Sequence, residues 1–190
     1  MQPMLDQVFK STGIQVGDED ALVRLFSYRL FSAREPVLQS GQAWRQLYYI
    51  QSGLIRLFYT DEDGNDYNKG FFRERHCLWP VAPRDREQGV LFSIATIEPT
   101  EVLVCDIDAL YHHLEAQGQW QRFALYYAER LLESKFQREH DLLTMKARER
   151  YIKLKADLPD LIARIPDYHL ASYLGVTNVS LSRLKSGINK

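Results

Sequence analysis

Cysteine is scarce. Two thiols in 190 residues, Cys77 and Cys105, are too few to staple a fold or to furnish a metal ligand set, and reduced thiols are expected. There is no run of about 18 apolar residues. The amino terminus, Met1-Gln2-Pro3-Met4-Leu5-Asp6, has no basic stretch leading into an apolar one. Neither a membrane span nor a secretory leader is therefore expected, and the protein is expected to be cytoplasmic. A dominant charge sign is missing as well: 24 Lys and Arg stand against 25 Asp and Glu, a net charge of −1. That balance excludes a chain that coats nucleic acid with its whole surface. What is present is apolar, 45% hydrophobic and 12% aromatic residues, which suits one or two small globular cores and excludes a disordered or collagen-like chain.

From about Leu5 to Phe31, Leu22, Leu25 and Phe26 recur at helical spacing behind Asp18, Glu19 and Asp20, which predicts one or two short helices. The texture then changes to short β-branched and aromatic runs: 36–38, 47–51 and 54–60. Asp63-Gly64 marks a hairpin turn, and Tyr67 to Phe72 is the returning strand. Residues 73–89, with Pro80, Pro83 and crowded charges, predict a loop or short irregular helix. Strands resume over 91–97 and 101–105. Many short strands without long intervening helices point to a β-roll or jelly roll, within an α+β fold.

From Asp108 the period is helical. Asp106 or Asp108 is expected to cap a helix through Leu110 and Leu114, followed by a longer helix from about Gln119 to Met145. That long helix carries two apolar stripes. One is Trp120, Phe123, Tyr127, Leu131 and Ser134; the other is Leu125, Ala128, Leu132, Phe136 and Leu143. One stripe can rest on the roll, and the other needs a partner, for which the same helix of a second subunit is the simplest candidate. Trp120, Phe123, Tyr127 and Leu131 are the residues assigned to that homodimer contact. The alternative is one helix buried on both sides within a monomer.

Residues 146–190 carry nine basic and four acidic side chains, a net of +5, which leaves −6 for residues 1–145. The near-neutral total is a cancellation, and the basic end is where a polyanion would be met. Within it, Asp167 or Pro166 can open a helix with Leu170, Ala171 and Leu174 inside; Gly175 permits a tight left-handed turn; Thr177 can cap a second helix pinned by Leu181 and Leu184. Small Ala171 allows the close crossing of a helix-turn-helix. Asn178, Val179, Ser182, Arg183 and Lys185 are left for a major groove. A plain helical hairpin closing a core is the competing reading.

Ser52-Gly53-Leu54-Ile55-Arg56-Leu57 followed by Asp61-Glu62-Asp63-Gly64, together with Leu170 to Thr177 and Leu181-Ser182-Arg183, resembles the CRP/FNR family of bacterial transcription regulators over essentially the whole chain. The resemblance implies three parts: a cyclic-nucleotide-binding-like sensor roll over 1–117, a dimerisation helix over 118–145 and a DNA-binding helix-turn-helix over 146–190. It implies double-stranded DNA with a palindromic operator, a second copy of the chain and RNA polymerase as partners, and no enzymatic activity. Asn178, Val179 and Arg183 match base-contacting positions, with Thr177 and Ser180 near phosphates. Val179 stands where the family often has Glu, which exchanges a cytosine contact for a thymine-methyl contact. Only six residues follow Leu184, so an abbreviated wing is expected, with Lys185 and Lys190 left for phosphates.

Cyclic-nucleotide binders of this family hold ribose with Gly-Glu and phosphate with Arg-Ser or Arg-Thr. Here the segment reads His76-Cys77-Leu78-Trp79-Pro80-Val81 and then Gly89-Val90-Leu91-Phe92-Ser93-Ile94-Ala95-Thr96, with neither the Glu nor the Arg in place. Arg84 and Arg86 lie too early and beside Asp85 and Glu87. Phe72, Trp79, Leu91 and Phe92 are candidates for an apolar effector pocket, or for core. The effector itself is unidentified, and no cofactor or metal is expected. Two functions of other classes compete: a protein-interaction module on the same fold, and a cupin-like enzyme, for which His76 stands without the neighbouring His and Glu ligands a metal needs. Because a buried phosphodiester needs a charge-assisted partner, calorimetry is expected to show no micromolar binding of cyclic AMP or cyclic GMP.

Overall fold

In the computed structural model, which describes residues 1–15 and 17–188, alternation across single strands decides the layers. Strand β3 (Gln46–Ser52) is the clearest case: Leu47 and Tyr49 point to one face and Tyr48 and Ile50 to the other, and all four are buried. A strand buried on both sides needs cover on both sides. On one side lies a second sheet; on the other lie helices.

The strands are β1 (Phe26–Phe31), β2 (Pro36–Leu38), β3, β4 (Ile55–Thr60), β5 (Asp66–Phe72), β6 (Cys77–Leu78), β7 (Ser93–Thr96) and β8 (Thr100–Asp106). They form two four-stranded sheets, ordered β1-β8-β3-β6 and β2-β7-β4-β5, with antiparallel pairing throughout. This is the roll expected from the sequence. Phe31, Trp44, Ile50, Ile55, Phe92, Ile94 and Val102 fill the space between the sheets. The β4–β5 turn closes through Asp61, whose carboxylate accepts from the N–H groups of Asp63 and Asn65 and is held below its ordinary pKa mainly by that Asn65 bond.

The helices are α1 (Gln2–Met4), α2 (Glu19–Arg24), α3 (Pro83–Glu87), α4 (Ile107–Glu115), α5 (Trp120–Thr144), α6 (Ala147–Asp157), α7 (Pro159–Arg164), α8 (Asp167–Leu174) and α9 (Asn178–Ile188), with a π-helical turn at Leu5–Phe9 and a 3-10 turn at Lys10–Thr12. Asp18 caps α2 and Asp106 caps α4 by accepting backbone N–H bonds. Met4, Phe9, Leu110, Leu114 and Phe123 from the helices cover the outer face of the first sheet.

Two expectations are corrected. Residues 26–31 are strand, not helix, because they extend the first sheet by pairing with β8, a long-range ladder that local spacing does not reveal. Most of the stripe assigned to the second subunit lies instead on this chain's own core, whereas Leu131 at its later end stays 42% exposed. Phe123 is 0% exposed and stacks near Phe9 at 5.8 Å and Trp79 at 5.1 Å, while Trp120 and Tyr127 are partly buried beside it. The other stripe is the open one: Leu125, Leu132, Phe136 and Leu143 are exposed, Phe136 at 60%. Both stripes are apolar, and only the aromatic one matches the aromatic surface built by residues 44 and 114 positions before Phe123.

Gly53 joins β3 to β4 at φ +103°, where a Cβ would collide with Thr100 Oγ1 and lie 2.7 Å from the Pro99 carbonyl. Gly53→Ala is expected to cost about 1–3 kcal/mol of unfolding free energy, seen as a lower urea-unfolding midpoint, from strain at positive φ plus backbone overlap.

Candidate nucleic-acid interface

The C-terminal helices build their interface from a turn outward. Helix α8 ends at Gly175, which takes the left-handed conformation at φ +69°, and Thr177 then starts α9 by accepting the Ser180 N–H at 3.2 Å. The Thr177 hydroxyl in turn donates to Ser180 Oγ at 3.0 Å. Leu170, Ala171, Leu174 and Leu181 are buried between the two helices and beside Tyr151, Leu161 and Ile165. With Leu181 turned inward, Asn178, Val179, Ser182 and Arg183 fall on the solvent face of α9, and Val179 is 60% exposed. The structure thus gathers Thr177, Asn178, Val179, Ser182 and Arg183 on one open surface. Ser180 is half-buried in the cap, and Lys185 is half-buried and ion-paired to Asp167. Such a surface pair is weak enough for a phosphate to displace. Lys190 lies outside the described residues.

This unit is docked on the second sheet. Leu54, fully buried just before β4, joins the core of the C-terminal helices, with Phe71 and Ile97 packed against that core. Helix α8 lies on β5. Ser172 Oγ donates to the Asp66 carbonyl at 2.6 Å and accepts the Asn68 N–H at 2.9 Å, and Asn68 Nδ2 reaches the His169 carbonyl at 3.3 Å. Arg138 of α5 donates to the Asn68 carbonyl at 3.1 Å and the Tyr173 carbonyl at 3.0 Å. At the far corner Arg164 donates twice to Glu74, at 2.8 and 3.0 Å, and also to Glu98. The docking roles of Arg138, Arg164, His169 and Ser172 do not stand out in the sequence, because each acts through partners 35 to 106 positions away, and the motif that contains Ser172 says nothing of Asp66 or Asn68.

The Arg164 guanidinium, aided by the Glu74 and Gly53 N–H groups, holds the Glu74 carboxyl down to about 2. Burial, with Arg56 second, lowers His169 to about 4. Burial also raises both thiols, Cys105 to about 12, which disfavours the thiolate that redox chemistry requires.

Of the four effector-pocket candidates, Phe72, Trp79 and Phe92 line a cavity of about 1240 Å³ between the roll, α5 and the C-terminal helices. Leu91 does not line it and is 57% exposed. Arg84 and Arg86 do not line it either.

Two facing antiparallel sheets, a long helix and a C-terminal helix-turn-helix make up the architecture of CRP/FNR-type regulators. The likeness to particular solved structures is close in shape. FixK2 of Bradyrhizobium japonicum matches with a TM-score of 0.76 at 15% identity, over 86% of this chain and 84% of that one. A variant of CooA from Carboxydothermus hydrogenoformans matches with a TM-score of 0.72 at 14% identity, over 96% and 84%. CLP, the c-di-GMP-responsive global regulator of Xanthomonas campestris, gives 0.70 at 15% identity, over 90% and 89%. No protein-family model and no curated protein sequence matches the chain. At these identities the likeness establishes the fold.

Both low-lying pKa values sit at the docked interface, and both make it sensitive to acid. A histidine held at about 4 against an ordinary 6.5 binds fewer protons folded than unfolded, so its contribution is lost as pH falls from 6.5 to 4. Glu74 follows between 4.5 and about 2. Urea-unfolding midpoints are expected to drop in these two stages, with His169→Asn flattening the upper one.

Proposed function

We propose that this chain is a homodimeric, sequence-specific DNA-binding transcription regulator of the CRP/FNR type that does not depend on cyclic AMP. The observation that carries this is the open face of α9: Asn178, Val179, Ser182 and Arg183 project from a helix locked underneath by Leu181. That is how a recognition helix presents base-reading groups to a major groove. Arg183 supplies the bidentate donor for guanine and Val179 an apolar contact for a thymine methyl, while Thr177, Ser180 and Lys185 lie where phosphates pass. The +5 charge of residues 146–190 supplies the non-specific attraction.

Self-association follows from α5. Leu125, Leu132, Phe136 and Leu143 form an exposed apolar stripe on a helix whose opposite side is already occupied by the roll. Packed across a two-fold axis, two such helices bury it, with recognition helices about 34 Å apart for successive major grooves. Independence from cyclic AMP rests on the segment between β6 and β7. Its helix α3 leaves Arg84 exposed and neither Arg84 nor Arg86 at the cavity, so no guanidinium from this segment faces a phosphodiester.

A regulator of this kind binds DNA with an affinity that falls by orders of magnitude over a few-fold rise in salt. Arg183→Ala is expected to reduce discrimination between operator variants by about 1–3 kcal/mol, whereas Lys185→Ala weakens binding to all of them about equally. Paired Leu132→Asp and Phe136→Asp substitutions are expected to give a monomer in sedimentation and to weaken operator binding. Salt-insensitive or absent DNA binding by the intact chain favours the protein-interaction reading.

A further inference from the structure

The cavity between the roll and the C-terminal helices is unusual for what its walls leave unsatisfied. Eight cationic side chains line it against four carboxylates, and two of those carboxylates are already committed, Glu74 to Arg164 and Asp141 to Lys153. On its wall, half-buried Lys69 of β5 and Lys135 and Arg138 of α5 lie close to one another, and among the described residues none of the three has a carboxylate within ion-pair distance. Lys69 rests its ammonium over the Phe92 ring at 4.0 Å, and Arg138 lies over Tyr173 at 4.0 Å. Like charges held together in a partly desolvated space repel, so the arrangement costs stability unless something negative joins it.

A second observation is independent of charge. Among the described residues, three buried side-chain polar atoms lack any hydrogen-bond partner: Trp44 Nε1, Trp79 Nε1 and Arg150 Nε. All three belong to residues that line this cavity, and all three are N–H donors. Buried donors without acceptors are rare in folded proteins and call for a missing partner. The three nitrogens are themselves sealed within the walls, so it is the unpaired cations at the cavity surface that ask for acceptor oxygens.

From this juxtaposition we infer that the cavity binds a small organic anion carrying at least two negative charges, seated on Lys69, Lys135 and Arg138, with its body against Trp79, Phe72 and Phe92. The cations come from β5 and α5, not from the segment between β6 and β7, so the site does not depend on a cyclic-nucleotide cassette. Phosphate esters and polycarboxylates share the required chemistry. A cyclic mononucleotide, with one charge, leaves most of the repulsion in place. Because Arg138 also donates to the Tyr173 carbonyl, an anion held here touches a side chain that fastens the helix-turn-helix.

Lys135 supports the reading. Burial, with Lys69 and Arg138 beside it, lowers its pKa to about 8. Across the cavity, Lys153 is spent on Asp141 and Arg150 on backbone carbonyls, which leaves Lys69 and Arg138 as its charged neighbours. An arriving anion stabilises the protonated form, so binding takes up protons near pH 8.

The test uses the intact chain without DNA, so its outcome is separable from that of the DNA-binding reading. Titration calorimetry with pyrophosphate, citrate and cyclic AMP is expected to show binding of pyrophosphate or citrate at least ten-fold tighter than cyclic AMP, and the preferred one identifies phosphate or carboxylate as the recognised group. With sulfate, whose charge does not change over the range, the thermal stabilisation is expected to be several-fold smaller at pH 9.5 than at pH 7. Lys135→Met is expected to raise the melting temperature of the free protein, because a repelled charge is gone, and to remove most of the anion-induced increment. Lys69→Met is the second variant, and it should weaken pyrophosphate or citrate without affecting folding. The inference is overturned by absence of binding for both polyanions, by equal affinity for cyclic AMP, or by binding that both methionine variants leave unchanged.

Discussion

The C-terminal helices are too few and too short to close a core of their own, and the structure depends on how they solve that shortage. A small unit buries too little of its surface to hold together unaided. Here Tyr151, Leu161, Ile165, Leu170 and Leu181 converge on Leu54, a residue of the roll, with Phe71 and Ile97 sealing the edge. The unit that presents the open α9 face therefore borrows part of its interior from the other half of the chain. Its orientation is tied to the second sheet by packing, and around that contact by Ser172, Asn68, Arg138 and Arg164.

That borrowed core ties the remaining features together. Helix α5 has the roll on one side and an open apolar stripe on the other, and Arg138 on its later turns reaches both β5 and α8. The cavity lies where the three parts meet. Arg138 belongs both to its cation cluster and to the contacts that dock α8, and Arg150 in its wall holds the Leu174 carbonyl, so occupancy of the cavity and placement of α9 are coupled chiefly through Arg138. A ligand moves such an equilibrium only as far as it distinguishes the two arrangements. Side chains that belong to both the cavity and the dock are the means by which it can.

Much of this was legible in the chain. The runs at 36–38, 47–51, 54–60 and 67–72 coincide with strands, Asp106 caps its helix, and the Leu170 to Leu184 pattern gives two helices around a left-handed glycine. These features are local: their signals are periodicity, caps and turn residues. The strand at 26–31 was not legible, since its pairing partner lies at 100–105. Nor was it legible which stripe of α5 faces inward. Phe123 and Leu132 are both apolar, and what separates them is the aromatic surface of Phe9 and Trp79 that only the folded chain assembles.

The sequence by itself determined the strand-rich front and helical back, the hidden split of −6 and +5 within a near-neutral total, and the identity of the side chains on the α9 face. Each of these is a property of neighbouring residues. Tertiary structure alone decided that Arg164 meets Glu74 and Glu98, that Leu54 serves the helical core, and that Lys69, Lys135 and Arg138 share one space. Those are relations between residues that chain order keeps far apart. Charge and hydrogen bonding act over a few ångströms of space, and only the folded backbone sets which groups come that close.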